Sequence, residues 1–511
     1  MQNSKKLCSL AVILTERDNV AVAAADLPAG TQIFEELFLR EAIPQAQKFS
    51  LQEIRKGEPV IRYGVTIGYA TQDICAGVQV TQFMLRVPPT PSLESLRYAV
   101  NVRPTEELPL PPVTTWEGYP NREGPAGTRN LLGIITSVQC VAGVVRRVEE
   151  RIRRDLLPKY PGVDDVCVIT HSYGCGVAIK AREAYIPIRA IRNIIRHPNF
   201  GGEFILIGLG CEKLTFDMLL EPEEITSENC LYLQDCEGHE AAEKAIMELA
   251  EQKLRILNKR KRQTLPLSQL LIGMQCGGSD SLSGVSANPA AGYASDLLVR
   301  GGATVLFSEV TEVRDGVQFL AERCVSEEVG HKLAEQMKWY DDYLEAGGVD
   351  RDANPTPGNK KGGLANIAEK AMGSIAKSGT APIIDVLEPA EKPEKRGLIY
   401  AATPASDIVC GPSQAASGIG LQVFMTGRGT PYGLNVCPVI KICSRNEMKK
   451  RWFDMIDISA GDILTGKKTI EEVGTEIFRE ILEVASGRKI PYSDQYGYHN
   501  DMCFFNPAPI T

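Results

Sequence analysis

Four apolar runs break off at a cysteine set among glycine and polar residues. They are GIITSVQC ending at Cys140, VCVITHSYGCG through Cys175, FILIGLGCE through Cys211 and LLIGMQCGGSD through Cys276. Short runs that are apolar at nearly every position predict parallel strands buried on both faces. The abrupt change to Gly, Cys, Ser and Asp predicts the carboxyl edge of such a sheet, where α/β proteins hold ligands. Four such ends suggest one polar, thiol-bearing crevice.

The segments between these runs complete the pattern. After Cys140, apolar Val141, Val144, Val145, Val148 and Ile152 recur at helical spacing. With the strands VCVIT and FILIGLG and a helix near 240–258, they make an α/β region over residues 116–262. The basic stretch NKRKRQT at 258–264 reads as a solvated surface linker. A second α/β region, 263–511, carries strand-like LLIGMQ, ATVLFS, GLIYAA and LQVFMT, with amphipathic helices at about 326–346 and 469–486. Residues 1–87 differ: short alternating runs separated by LPAGT, RKGEP and ICAGV predict a small β domain. A proline-rich linker, 88–115, follows it.

Composition narrows the function. A chain of 511 residues with 43% hydrophobic and 23% charged residues is long enough for about three globular domains. A net charge of −8 argues against a nucleic-acid partner, which calls for a basic surface. No window approaches a membrane span, and SLAVIL near the N-terminus is too short for a signal segment, so a cytoplasmic protein is expected. The 14 cysteines lack framework spacing and read as reduced thiols. There is no Walker loop, no well-placed G-x-G-x-x-G and no G-x-S-x-G elbow, so nucleotide and serine-hydrolase chemistry lose weight.

Four polar segments carry the candidate chemistry. HSYGCG sets His171 four residues before Cys175 in a glycine-flanked turn, as metal ligand or general base beside a soft thiol ligand. QCGGSDSLSGVSANP offers Cys276, Ser279, Asp280 and Asn288, either around an anion at a helix start or as a self-capped turn. NPTPGNKKGGLANIAEK offers Asn354, Asn359, Lys360 and Lys361 on a stiff loop that opens a helix. Lysines there oppose the helix dipole, which suggests anion binding. TGRGTPYG brackets Arg428 with glycines next to Thr430, a setting for a carboxylate held bidentately, and Arg129 in GTRN is a further cation. Together they suit a small dicarboxylate.

These residues, in this order, resemble the altronate/galactarate dehydratase family. The matching text includes EGYPNREGPAGTRNLLGI, SYGCGVAI, IGLGCEK, GMQCGGSD, NPAAGYASDLLVRGGATVLFSEVTEVRD, NPTPGNKKGGLANIAEKAMGSIAKSG, GLIYAATPASD and TGRGTPYGL, from about residue 116 to the closing FNPAPIT. The N-terminal region is similar to the family's SAF (β-clip) module through DNVAVA and RKGEPVIRYGVTIGYA. The expected fold is therefore a small SAF-like β domain followed by two α/β regions with mainly parallel sheets.

The resemblance implies a metal-dependent dehydration of galactarate, or a close hexarate epimer, to a keto-deoxy acid in a homodimer. The metal would be a divalent ion, usually Fe2+, with Mn2+ as a substitute. A base removes the proton α to one carboxylate, and an acid protonates the departing β-hydroxyl. His171 and Lys360 are the base and acid candidates, in either order. Ser279, Asp280, Asn288, Asn354, Asn359, Arg428, Thr430 and Arg129 are the substrate binders, and Cys175 and Cys276 the metal ligands. In one respect the chain departs from the family: the SAF module commonly carries a histidine three residues before DNVA and another in a GHK motif. Here Thr15 and Gln47 stand in those places, with Ala46 for the glycine. Two other readings therefore stay open: a silent acid-sugar binder, and a lyase on another α-hydroxy acid such as altronate or sulfolactate.

Overall fold

A computed structural model describes residues 10–508. At the N-terminus, short strands form a hairpin, Gln32–Phe34 with Leu37–Phe38, and two larger antiparallel sheets. One runs in the order Ala11–Val12, Val20–Ala23, Lys48–Ser50, Gln79–Val80, the other in the order Pro59–Arg62, Val65–Ala70, Leu85–Arg86. Each has its own small core, one around Phe49 and Leu39 and one around Val60 and Ile67.

The middle of the chain builds a four-stranded parallel sheet in the order Asp165–Ile169, Leu131–Thr136, Phe204–Gly208, Cys230–Tyr232. The C-terminal part builds a seven-stranded parallel sheet. Its order is Ile383–Leu387, Leu398–Ala401, Thr304–Phe307, Leu271–Cys276, Leu421–Thr426, Val439–Cys443, Ile458–Ser459. The expected α/β architecture is thus present, with a small β module ahead of it.

The burial of the central strands has a clear cause. One face of the middle sheet (Leu132, Ile134, Val168, Ile205) packs on the helices Ala142–Arg151 and His239–Leu257. Its other face (Leu131, Ile135, Ile169, Leu206) shares a core with Leu271, Leu306, Ile399 and Phe424 of the large sheet. The far face of the large sheet, with Ile272, Met274 and Cys276, packs on the helices Ala287–Arg300 and Ile470–Ala485. A sheet covered on both sides has no polar face to alternate with. The Ile470–Ala485 helix starts at a capping box, Thr469 with Glu472, and buries Val473, Ile477 and Ile481 along one stripe.

Two expectations need correction. The basic stretch at 258–264 is not a solvated linker. Gln263–Pro266 pairs antiparallel with Thr115–Gly118, and Arg262 donates to the carbonyls of Glu117, Thr128 and Ala485 at 2.8, 2.7 and 2.9 Å. A guanidinium has enough donors to satisfy three loop carbonyls at once. The lysines of NPTPGNKK do not oppose a helix dipole either. A five-residue helix, Pro357–Lys361, ends at Lys360 and Lys361, and the next one, Ile367–Ser374, starts separately at Asn366. Cations at a helix C-terminus are favourable. No helix among the described residues is long and apolar enough to cross a membrane.

Candidate active site

From Leu271–Cys276 the chain moves outward to Thr304–Phe307 on one side, and later returns on the other side with Leu421–Thr426. The loops after Cys276 and Thr426 therefore diverge at a topological switch point, where open α/β sheets leave a crevice. The two loops are stitched together: Gly427 N and Arg428 N donate to Gly278 O at 3.2 and 2.9 Å. A side chain at position 278 would come within 3.0 Å of Thr430 Oγ1, and its backbone is left-handed (φ +59°), so glycine is required. A third loop joins through Asn359 Nδ2, which donates to Ser279 O at 2.9 Å. Ser279, Asp280, Asn359, Arg428 and Thr430 are thereby brought together.

Beneath these loops lies a buried ionic cluster. Cys276 Sγ stands 3.7 Å from Glu309 Oε2 and 3.5 Å from Glu312 Oε2. Lys377 Nζ donates to Glu309, to Ser374 Oγ at 2.7 Å and to Cys276 Sγ at 3.3 Å. Lys370 Nζ pairs with Glu312 Oε1 at 2.7 Å and donates to Asn354 Oδ1 at 2.9 Å and Asn359 Oδ1 at 3.2 Å. Burial, only partly opposed by Lys377, lifts the Glu309 carboxyl to about 8. Burial and the nearby Glu309 push the Cys276 thiol up to about 12. Burial would lower the Lys377 ammonium, but Cys276, Glu309 and Glu312 around it raise it above its ordinary value. Glu309 adopts the left-handed conformation, φ 80° and ψ 74°. Such strain in a non-glycine residue persists only where its surroundings enforce it, commonly at functional sites.

Asp407 completes the group. It lies against Gly277, where a Cβ would come within 2.4 Å of its carboxylate oxygens. Burial and Glu312 lift it to about 6. Gln275 Nε2 donates to its carboxylate at 3.3 Å, and Gln422 Nε2 in turn donates to Gln275 Oε1 at 2.9 Å. This chain of buried amides fixes the carboxylate from below.

A narrow cavity opens beside the cluster, lined by Ser279, Asp280, Asn288, Lys370, Ser374 and Tyr63. Ser279 Oγ and Asn288 Oδ1 are buried and have no hydrogen-bond partner. Buried polar atoms are almost always paired, so two orphans facing one cavity leave hydrogen-bonding capacity there for a polar group of a ligand or an ordered water. Asp280 behaves differently, as the self-capped turn: its carboxylate accepts from Leu282 N, Ser283 N and Ser444 Oγ and pairs with Arg445 at 3.1 Å.

The N-terminal β module closes this region. Lys48 Nζ is 2.9 Å from Glu369 Oε2, Arg62 pairs with the other oxygen of Glu369, and Arg62 also donates to Ser281 O at 2.7 Å. Gln47, one of the two expected histidine positions, donates to Lys361 O at 3.1 Å, and Thr15, the other, donates to Asp18 at 2.7 Å.

Other candidates lie elsewhere. His171 follows the Asp165–Ile169 strand of the middle sheet. Its Nε2 donates to Thr136 O at 2.7 Å, its ring leans on Phe504, and burial lowers it to about 4, so the imidazole is neutral. Arg129 is held by Asp494 at 2.8 Å and Asp164 at 3.6 Å. Cys175 is exposed at the edge of the middle sheet. The four cysteine-ended strands therefore do not share one crevice. Three belong to the middle sheet and Cys276 to the large one. Lys360 is half-buried on the short helix that carries Asn359.

Sequence reasoning did not single out Glu309, Glu312, Lys370, Lys377 or Asp407. A signal existed: Lys370, Ser374 and Lys377 share one helical face, and Glu309 and Glu312 stand three apart directly after a buried strand. Cys276, Glu309 and Glu312 offer ligand atoms that all lie within 4.8 Å of one another, the one such group among the described residues. Glu309 Oε1 is buried without a partner. A mixed thiolate and carboxylate set with an orphaned acceptor fits a divalent cation.

Comparisons with known proteins show the family. Three family descriptions cover most of the chain. They are the altronate/galactarate dehydratase SAF domain (residues 9–88), the D-galactarate dehydratase/altronate hydrolase second domain (118–258) and the D-galactarate/altronate dehydratase C-terminal domain (267–510). The chain is 56% identical to galactarate dehydratase (L-threo-forming) of Escherichia coli, over 97% of this chain and 96% of that protein. It is 34% identical to altronate dehydratase of the same organism, over 92% and 94%. A (2R)-sulfolactate sulfo-lyase beta subunit of Chromohalobacter salexigens is 32% identical over 45% of this chain and 59% of its own. With its SAF module, its second domain and its C-terminal domain all matched in order, the chain belongs to the altronate/galactarate dehydratase family.

Proposed function

We propose that the protein dehydrates galactarate, or a closely related hexarate, to a keto-deoxy aldarate. The observation that carries the reading is the cavity in which Ser279 Oγ and Asn288 Oδ1 lack partners beside the Lys370 ammonium. Unpaired hydroxyl and amide groups next to a cation suit a substrate that bears both hydroxyls and carboxylates.

In this reading Arg428 and Thr430 hold one carboxylate, while Ser279, Asn288 and Asn354 position the hydroxyls. Asp407, ionised above about 6 and fixed by Gln275, accepts the proton α to the carboxylate. Lys370 and Lys377 place fixed positive charge where the enediolate develops. Lys360 gives a proton to the departing β-hydroxyl. Proton transfer is placed on Asp407 rather than His171, because the imidazole belongs to the other sheet and its Nε2 is engaged by Thr136. Cys276, Glu309 and Glu312 would hold the divalent metal, Fe2+ or Mn2+, which when bound supplies Lewis-acid stabilisation of the enediolate.

The test is turnover by protein purified anaerobically and supplied with Fe2+ or Mn2+. Galactarate, glucarate, altronate and sulfolactate are each assayed for keto-acid formation. Product from galactarate supports the proposal. Product from sulfolactate or altronate alone would transfer the protein to the other lyase reading. Thermal stabilisation by galactarate without product would make it a silent binder, the reading that Thr15 and Gln47 favour. Light scattering in solution tests the homodimer.

A further inference from the structure

The middle sheet gathers three thiols that the proposed dehydration does not use. Cys140, Cys175 and Cys211 each stand a few residues beyond the carboxyl end of one of three adjacent strands, Leu131–Thr136, Asp165–Ile169 and Phe204–Gly208. The chain reverses its direction of travel across the sheet between the first and third of these, a second switch point. All three cysteines are exposed, and among the described residues only Cys75 is as well. Free cysteine is among the most buried residue types, so three exposed ones at one sheet edge need a reason.

The three loops are tied to one another directly beside the thiols. Gly174 packs so closely on Ser137 that a Cβ would lie 2.0 Å from Ser137 O. Gly174 O accepts from Lys213 N at 3.1 Å and Leu214 N at 3.2 Å, and Ser137 Oγ donates to Glu212. Glu212 also caps its own loop, accepting from Leu209 N at 3.1 Å and Gly210 N at 2.7 Å. Left-handed glycines flank Cys175 on both sides (Gly174, φ 115°; Gly176, φ 64°), and another, Gly210 (φ 119°), precedes Cys211. Such backbone lets N–H groups approach a bound anion closely.

The three sulfurs are not preset around a single metal ion. Among the described residues the three sulfurs do not form a group within 4.8 Å of one another. A mononuclear tetrahedral thiolate site, with bonds of about 2.3 Å, sets its sulfurs about 3.8 Å apart. An iron–sulfur cluster binds each cysteine at a different iron and spreads them wider. Cys236, next along the edge, turns its thiol to the Tyr232 carbonyl at 3.8 Å.

We propose that Cys140, Cys175 and Cys211 are the protein ligands of a [4Fe–4S] cluster at the carboxyl edge of the middle sheet. Three cysteines leave the fourth iron to water or to an oxygen donor of a small molecule. The inference stands apart from the dehydratase reading, because its readout is iron and sulfide rather than turnover.

The test is anaerobic reconstitution of the full chain with equal amounts of ferric and ferrous iron and with sulfide, which together match the charge of a [4Fe–4S]2+ cluster. The expected uptake is about four iron and four acid-labile sulfide per chain, with broad visible absorption that bleaches in air. Cys140→Ser, Cys175→Ser and Cys211→Ser should each lose most of the labile sulfide, and Cys75→Ser should keep it. Unchanged melting temperatures would show that the variants fold. Absence of labile sulfide in the wild-type protein would overturn the proposal. So would equal uptake by the triple serine variant, or binding of zinc alone with no sulfide.

Discussion

Lys48 of the N-terminal β module donates to Glu369 across 2.9 Å, and both side chains are buried. Glu369 lies on the helix Ile367–Ser374, which also carries Lys370 and Ser374 of the candidate site. The β module is thus fastened to the element that positions the ionic cluster. Replacing Glu369 by Gln would leave Lys48 and Arg62 buried with no counter-charge. Breaking one side of a buried pair costs about 3–5 kcal/mol. Urea unfolding should register a loss of that order, and proteolysis should quicken in the proline-rich linker at 88–115.

Ser279→Ala should separate stability from function. The hydroxyl has no partner in the free protein, so its removal should change stability by no more than about 0.5 kcal/mol. If it binds a hydroxyl or carboxylate of the substrate, kcat/KM should fall about 10- to 100-fold. Unchanged kinetics would exclude Ser279 from the site.

Arg428→Lys tests carboxylate recognition. Lysine keeps the charge but cannot offer the planar fork of donors. KM for the dicarboxylate should rise about tenfold, with kcat less affected. A fall in kcat alone would place Arg428 with the developing charge instead of the resting carboxylate.

Glu312→Gln should weaken metal retention and deprive Lys370 of its ion-pair partner. Metal content after dialysis, measured by mass spectrometry, should drop below that of the wild-type protein. Turnover should recover in part when Fe2+ or Mn2+ is supplied in excess. Wild-type metal content in the variant would remove Glu312 from the ligand set.

Acid should destabilise the protein through two buried imidazoles. Burial lowers His171 to about 4 and His197 to about 3, below the ordinary value of 6.5. The folded state therefore binds a proton less readily than the unfolded chain. The stabilisation is complete above 6.5 and is lost as pH falls toward the folded values, at about 1.4 kcal/mol per pH unit for each group. Unfolding free energies at pH 7 and pH 5, compared with those of His197→Gln, check this. A variant with the wild-type pH slope would contradict it.

Much of the α/β framework was readable because two local signals coincide. FILIG is apolar throughout and LQVFM is interrupted only by Gln422, and glycine stands at or just beyond their ends. Three strands of the large sheet were harder to see: Ile383–Leu387, Val439–Cys443 and Ile458–Ser459. Asp385 and Lys441 interrupt the apolar pattern of two of them, and both side chains are buried, Asp385 pairing with Lys332 at 3.4 Å and Lys441 in the field of Asp457 and Asp494. Sequence spacing does not foresee a buried charge whose partner lies far along the chain.

The candidate site divides in the same way. Ser279, Arg428 and Thr430 stand in glycine-rich loops at strand ends, a local feature, and the order of the strands brings those loops together, with Asn359 of the short helix Pro357–Lys361 beside them. Glu309, Glu312, Lys370 and Lys377 look like ordinary solvated charges until their strand and helix pack. Then they neutralise one another under the crevice. The cysteine-ended strands show the difference most plainly. Their endings were set by local pattern and implied a single thiol-bearing crevice. Pairing of the strands instead sent Cys140, Cys175 and Cys211 to one sheet and Cys276 to another. Hydrophobic runs and turn residues act over a few positions and are written in the chain itself. Which edges adjoin depends on long-range strand order and on two sheets sharing a core, and these arise only when the whole chain packs.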